Sequence, residues 1–209
     1  MAAISPDQVL SHFLQIPLVA DTLLRLEREL SPELTYHSAD HTRAVLREAL
    51  NLGVTDNLAY HQLYLLMFSA LFHDIGFLVQ RNQNEAICAR MARELLASQP
   101  DLSALDLNLI ATMISDTELK ATPTGPKQVA STLLSGYLLD ADLGNFGRED
   151  FLEMTELVRH EIGAPDKKTF LRSTLTLFDA HEWYSPAAKL LRQGQKEINR
   201  GRLLELIGQ

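Results

Sequence analysis

The chain lacks most of the features that would commit it to a large function class. It has one cysteine, Cys88, so no internal disulfide can form and a reducing compartment is expected. It lacks an excess of positive charge: 19 lysines and arginines face 27 acidic residues, a formal net charge of -8. An acidic chain without a basic stripe is a poor partner for a nucleic-acid duplex, whose affinity comes largely from phosphate contacts. A small phosphorylated ligand stays compatible, because a bound cation can reverse the local field. No uncharged apolar run reaches the roughly 20 residues that span a bilayer. The opening "MAAISPDQVLSHFL" has no basic segment followed by an apolar core and a cleavage site. A soluble, cytoplasmic protein without membrane contact is therefore expected. Period-two alternation is nearly absent, which argues against a sheet. There is no internal repeat and no low-complexity tract.

What is present is helical periodicity. The 209 residues, 46% of them hydrophobic, can bury a sizeable core as one domain. "SPDQVLSHFL" starts with Ser5 as a cap and Pro6 in the first turn. "PLVADTLLRLEREL" carries leucines at helical spacing with charges on the other face. A helix from Ser38 to Gly53 follows, then one capped by Thr55 or Asp56. The latter is apolar around most of its circumference from Leu63 to Phe72, so it should be central, with Gly76 marking its end. Further helices are predicted over 82–98, in "LSALDLNLIATMIS", from Gln128 to Asp142, and over 149–162, 167–181 and 187–206. "KATPTGPK", Lys120 to Lys127, has two prolines and a glycine and reads as a loop. The expectation is an all-α fold of about eight or nine helices, a single domain over 1–209.

Candidate chemistry starts at "LFHDIGF", where His73 and Asp74 follow the apolar run. An imidazole and a carboxylate are costly to bury without partners. Adjacent helical residues point about 100° apart, so both reach one ion only near a helix end. His41, near the start of the Ser38 helix, and Asp142, at the end of the Gln128 helix, are two more groups of suitable type at helix ends. Two imidazoles and two carboxylates form a mixed nitrogen and oxygen set suited to a divalent first-row ion such as manganese, iron, cobalt, nickel or zinc. Such an ion activates water and polarises a phosphoryl oxygen. By spacing alone, a lone histidine or aspartate is more often a cap or a satisfied polar group than a ligand.

The order of the motifs adds to the spacing. "YHSADHTRAVL", "LFHDIGF" and "LLDADLGNFGREDF", in that order, resemble the HD-domain superfamily of metal-dependent phosphohydrolases, with its H…HD…D pattern on a helical fold. The resemblance runs from about Tyr36 to Phe151. A weaker likeness extends through "HEWYSPAAKLLRQGQKEIN" to small stand-alone HD proteins, and helices over 149–207 would pack on the motif core. The resemblance implies that His41, His73, Asp74 and Asp142 are the metal ligands. Asp140, two residues earlier and facing away from Asp142, becomes a cap or a supporting group. Two-metal members place extra histidines between the HD pair and the last aspartate. Here none lies between Asp74 and Arg159, which implies one divalent ion (magnesium included among the candidates).

Two residues are candidates for proton transfer. His37 lies four residues before His41 and would share its face if the helix has already begun. "YHSADH" is similar to the cyclic-nucleotide phosphodiesterase branch, which implies His37 as proton donor to the leaving oxygen. The alternative is a helix-entry residue bonded to a backbone carbonyl. Glu85, in "RNQNEAICA", would orient the attacking water or act as base. Its alternative is an ordinary first-turn glutamate favoured by the helix dipole. Related proteins often have a His-Glu pair there with a serine three residues on, where this chain has Asn84 and Cys88. For substrate phosphates, Lys120, Lys127 and Arg148 are the candidate cations, with Arg43, Arg81 and Lys196 behind them. Lys120 and Lys127 border a loop that would cover a cleft. Trp183 and Tyr184 either stack a nucleobase or pack in the core. The resulting expectation is hydrolysis of a phosphate ester or anhydride of a small substrate, a nucleotide above all, by metal-bound hydroxide. The alternative is a non-catalytic helical module that binds a nucleotide or a partner and keeps a structural metal. A homodimer stays open.

Overall fold

A computed structural model describes residues 5–81 and 83–208. The expected helix start at Asn82 lies outside the described residues. Ten α-helices follow one another: α1 Pro6–Leu14, α2 Pro17–Glu29, α3 Ala39–Thr55, α4 Tyr60–Phe72, α5 Asn84–Leu96, α6 Ala104–Ser115, α7 Leu133–Asp142, α8 Phe151–Glu161, α9 Lys167–Ala180 and α10 Pro186–Gly208. Short 3-10 helices at Ile75–Leu78 and Gly144–Gly147 follow α4 and α7. The fold is all-α. The ten helices among the described residues compare with the eight or nine expected, and Pro17 opens α2 as a helix separate from α1, as the sequence segments imply. No single helix among the described residues is long and apolar enough to cross a membrane.

The expectation of no sheet is corrected by one small hairpin. Lys120–Thr122 (β1) pairs antiparallel with Gly125–Lys127 (β2), Lys120 opposite Lys127 and Thr122 opposite Gly125. Three-residue strands are too short to show alternation. The turn is closed by the Thr122 hydroxyl, which donates to the Gly125 carbonyl at 2.6 Å, and by Gly125 at φ +127°, a conformation that favours glycine.

Two helix starts also differ from expectation. α3 runs on to Thr55 and is ended by Asn57, left-handed at φ 58°, with the Leu58 N–H returning to the Gly53 carbonyl at 2.9 Å. α4 therefore starts at Tyr60, and neither Thr55 nor Asp56 caps it. α7 starts at Leu133 rather than Gln128, because Thr132 takes the capping role and accepts from the Ser135 N–H at 3.0 Å.

α4 is the central element, as its composition predicts. Every residue from Leu65 to Phe72 is buried, so this stretch of the helix has no solvent face. It packs against α3, α6 and α7 in one core cluster that draws on residues from Val9 to Leu203. The polypeptide leaving this rigid rod carries His73, Asp74 and the following 3-10 helix. Gly76 lets that 3-10 helix lie flat on α5: a Cβ there would stand 2.6 Å from the Asn84 carbonyl oxygen and 2.9 Å from Cys88 Sγ. Cys88 is a buried thiol accepting from the Gly76 N–H at 3.0 Å.

Candidate metal centre

Local sequence fixes each donor before any ion is considered. Ser38 caps α3 by accepting from the His41 N–H at 3.4 Å, which sets His41 in the first turn. His73 is the residue after the buried α4, with only 1% of its surface exposed. Its Nδ1 lies 2.8 Å from the Ala70 carbonyl oxygen. A carbonyl only accepts, so Nδ1 carries the proton and, in the neutral ring, Nε2 keeps its lone pair for a cation. Asp142 ends α7. Its Oδ2 is held by Gln128 Nε2 at 2.7 Å, and the same amide nitrogen donates to the Thr117 carbonyl at 2.9 Å. Oδ1 is left to face the histidines.

The free atoms converge. His41 Nε2 lies 3.3 Å from His73 Nε2 and 3.2 Å from Asp142 Oδ1, which is 3.5 Å from His73 Nε2. Asp74 Oδ2 completes the group at 3.1 Å from His73 Nε2 and 3.5 Å from His41 Nε2. Ligands about 2.1 Å from a common ion stand about 3.0 Å apart in octahedral and about 3.4 Å apart in tetrahedral geometry. The observed spacings are those of a coordination shell. Asp74 Oδ2 is also buried without a hydrogen-bond partner among the described residues, although His73 Nε2 is near. A carboxylate oxygen buried in that state is costly unless a cation answers it. The His41, His73 and Asp142 group can therefore hold a metal ion, and Asp74 Oδ2 lies within 3.5 Å of both histidine nitrogens.

The electrostatics agree with the geometry. Burial works against a charged His73, yet Asp74 and Asp142 outweigh it and hold the ring's pKa well above the usual value. Burial likewise opposes ionised Asp74 and Asp142, and the facing imidazoles hold both below the usual carboxylate range. The proton on His73 thus plays the part that a cation would take over.

His37 is beside this group, but not for the reason expected. α3 begins at Ala39, so His37 precedes the helix and shares no helical face with His41. Glu161, the last residue of α8, fixes it instead. Its Oε2 accepts from the Tyr36 N–H at 2.7 Å and the His37 N–H at 2.9 Å, and its Oε1 bonds His37 Nδ1. The His37 ring stacks on Phe77 with centroids 4.5 Å apart. Burial lowers the affinity of His37 for its proton, but the bond to Glu161 and the charges of Asp74, Glu161 and Asp142 leave its pKa raised. Tyr36 packs on the His41 ring at 4.6 Å. Burial and the charges of Asp142 and Asp74 push its hydroxyl far up, so the phenol stays a neutral donor.

Glu85 is in the first turn of α5, half-buried, with its own backbone N–H as a hydrogen-bond donor to the carboxylate and no ion pair among the described residues. Burial raises its pKa, and the charges of Glu118, Asp74 and Asp142 raise it further. Asp140 supports the neighbouring backbone, accepting from the N–H groups of Tyr184 at 2.8 Å and Ser185 at 2.7 Å.

The candidate phosphate-binding cations fit less well. Lys127 pairs with Glu182 at 3.5 Å, and Arg148 makes a two-point pair with Asp150 at 3.0 and 3.1 Å. Lys120 is exposed on the hairpin. Arg81 pairs with Glu33 and Arg43 with Glu27 and Asp40. Lys196 is buried against His181. Trp183 is buried against His181, and the Tyr184 hydroxyl donates to the Gln128 carbonyl at 2.7 Å, so both are packing and bracing groups.

Sequence reasoning missed Gln128, Tyr36 and Glu161. Glu161 bonds a residue 124 positions away and reads as one more charge on an amphipathic helix. Gln128 is expected at the start of a helix, whereas α7 begins at Leu133 and leaves it in the preceding loop. The chain matches none of the family models and none of the curated proteins with which it was compared.

Proposed function

We propose that the chain is a metal-dependent phosphohydrolase. The observation that carries the reading is the convergence of four donor atoms at coordination spacing beside a histidine tied to a glutamate. His41, His73, Asp74 and Asp142 would hold one divalent cation. Once bound, such an ion lowers the pKa of water and stabilises charge on a phosphoryl oxygen.

The remaining work falls to the chain's own residues. Glu161 fixes the ring of His37 and supports its protonated state, so His37 can donate a proton to the leaving oxygen. Glu85, unpaired and half-buried, takes the proton of the attacking water. Tyr36 offers its hydroxyl as a neutral donor toward the same space. Gln128 fixes which oxygen of Asp142 faces inward. The tight set of four donors, supported by a braced Asp142 and an oriented His73, favours an enzyme over a module that merely binds.

The test is metal analysis of purified protein with turnover of a panel of phosphoesters and phosphoanhydrides in added manganese. Turnover is expected, and Glu161→Gln is expected to lower it by about 10²-fold or more with metal content unchanged. Protein that takes up no divalent ion, or that is loaded and turns over nothing, overturns the proposal.

A further inference from the structure

A cavity of about 300 Å³ opens beside the metal centre, with Tyr36 and His37 in its wall and Leu143, the residue after Asp142, at its edge. Leu119, Phe146, Val158, Phe170 and Leu177 supply most of the rest, and no lysine or arginine lines it. Its serine and threonine hydroxyls are already engaged. Thr155 donates to the Phe151 carbonyl at 2.7 Å, Thr174 to that of Phe170 at 3.0 Å and Ser173 to that of Thr169 at 3.2 Å. Asn145 is the exception. It is 5% exposed, lines the cavity, and its Oδ1 has no hydrogen-bond partner among the described residues.

From this wall we infer that the substrate carries a single phosphoryl group on an uncharged, largely apolar ring, which this cavity holds. The inference rests on the phosphohydrolase reading. At about 30 Å³ per water-sized group, the cavity takes about ten such groups, enough for one fused ring system. An apolar wall repays desolvation of such a ring and gives nothing to a sugar alcohol or a charged chain. Asn145 keeps a buried, unanswered acceptor in this wall, which a ring N–H or O–H would satisfy once the amide turns into the cavity. The charge count points the same way. Asp74 and Asp142 offset a divalent ion, and His37 is offset by Glu161. Lys127 and Arg148 hold partners of their own. Second and third phosphates would meet no cation in the cavity wall, only Lys120, exposed on the hairpin beyond Leu119.

In the reaction, a water oxygen bonds to phosphorus as the P–O bond to the ring-bearing group breaks. The electron pair stays on the departing oxygen, which takes the proton of His37, and the water's proton passes to Glu85. The products are the free alcohol and a phosphate group.

The experiment uses manganese-loaded full-length protein. Kinetics are compared on naphthyl phosphate, its diester, a nucleoside monophosphate, the matching triphosphate and glycerol phosphate. Calorimetry follows binding of naphthylmethylphosphonate, which cannot be hydrolysed at its P–C bond. Naphthyl phosphate is expected to exceed both glycerol phosphate and the triphosphate at least tenfold in kcat/KM. A diester preferred over naphthyl phosphate overturns the assignment of a single ring to the cavity. Val158→Phe, which fills the cavity, is expected to cut phosphonate affinity and aryl turnover at least tenfold and to spare glycerol phosphate. A preferred triphosphate, or phosphonate binding unmoved by Val158→Phe, overturns this inference and leaves hydrolysis standing. Phosphonate binding that depends on Val158, with no turnover of any ester, overturns the hydrolase and leaves the cavity's ligand class standing.

Discussion

Two buried histidines in this molecule have opposite surroundings. His73 is 1% exposed and faces Asp74 and Asp142; His181 is 8% exposed and faces Lys196. Burial alone drives both rings toward the neutral form. At His73 the two carboxylates reverse that and raise the pKa. At His181 the charges of Lys196 and Lys127 add to burial and pull it down to about 3. The ring nitrogens differ as well. Nδ1 of His73 donates to the Ala70 carbonyl and frees Nε2, whereas Nδ1 of His181 accepts from Lys196 Nζ at 2.9 Å. Lys196 itself donates to the His181 carbonyl at 2.6 Å and lies over the Phe178 ring at 5.1 Å. One cluster has unanswered negative charge and wants a cation. The other already holds its cation in an aromatic setting and is a packing device. The lesson is that burial does not mark a functional histidine; the sign of what it faces does.

The strongest way to break this contrast is to remove a donor. His73→Ala or Asp142→Ala should lower divalent-metal affinity at least 100-fold, read by calorimetry, with helical circular dichroism retained. His181→Ala should leave metal affinity unchanged, because its cluster contributes no ligand. Manganese should raise the melting temperature of the wild type and not of His73→Ala, since only a protein that binds the ion in its folded state is stabilised by it. Asp74→Asn comes next. It keeps the shape but removes the charge of the orphaned oxygen, and about a 10- to 100-fold loss of affinity is expected.

A smaller effect is expected at Gln128, whose amide holds Asp142 Oδ2. Gln128→Leu should weaken metal binding by about tenfold, at the low end for a residue supporting a ligand. Affinity equal to wild type would show that the α7 helix alone orients Asp142. This residue also marks where the sequence stopped being legible. The all-α fold could be read from periodicity, and the buried α4 from its unbroken apolar run. His41, His73, Asp74 and Asp142 could be named because their order forms a pattern and each falls at a helix end. The braces could not be named. Gln128 and Glu161 act through contacts spanning 14 and 124 residues, and neither leaves a periodic or spacing signal. The hairpin escaped because three-residue strands are shorter than any alternation. The cavity escaped because its walls come from separate elements, including α8 and α9, and each leucine or phenylalanine in it reads as ordinary core.

The subtlest difference between the two histidines is their contribution to stability as pH changes. In the unfolded chain His181 takes up its proton near 6.5, and in the folded protein only near about 3. Between those values the unfolded state binds more protons, so stability falls as pH falls through that window. The drop attributable to this one residue is about 2 kcal/mol from pH 7 to pH 5. Lys196 acts in the same direction at higher pH. Burial lowers it from 10.5 to about 8, against the opposing pull of Asp179 and Glu182, so stability rises with pH between those values. His73, with a raised pKa, contributes with the opposite sign: its stabilisation is present at low pH and is lost as pH rises through the folded value. Urea denaturation of metal-free protein at pH 5 and pH 7 separates the two. His181→Gln keeps an acceptor for Lys196 but cannot be protonated in this range, and it should flatten the acid-side loss relative to wild type. An unchanged loss would mean that His181 does not resist protonation in the folded state, and that the two buried clusters differ less than their partners imply.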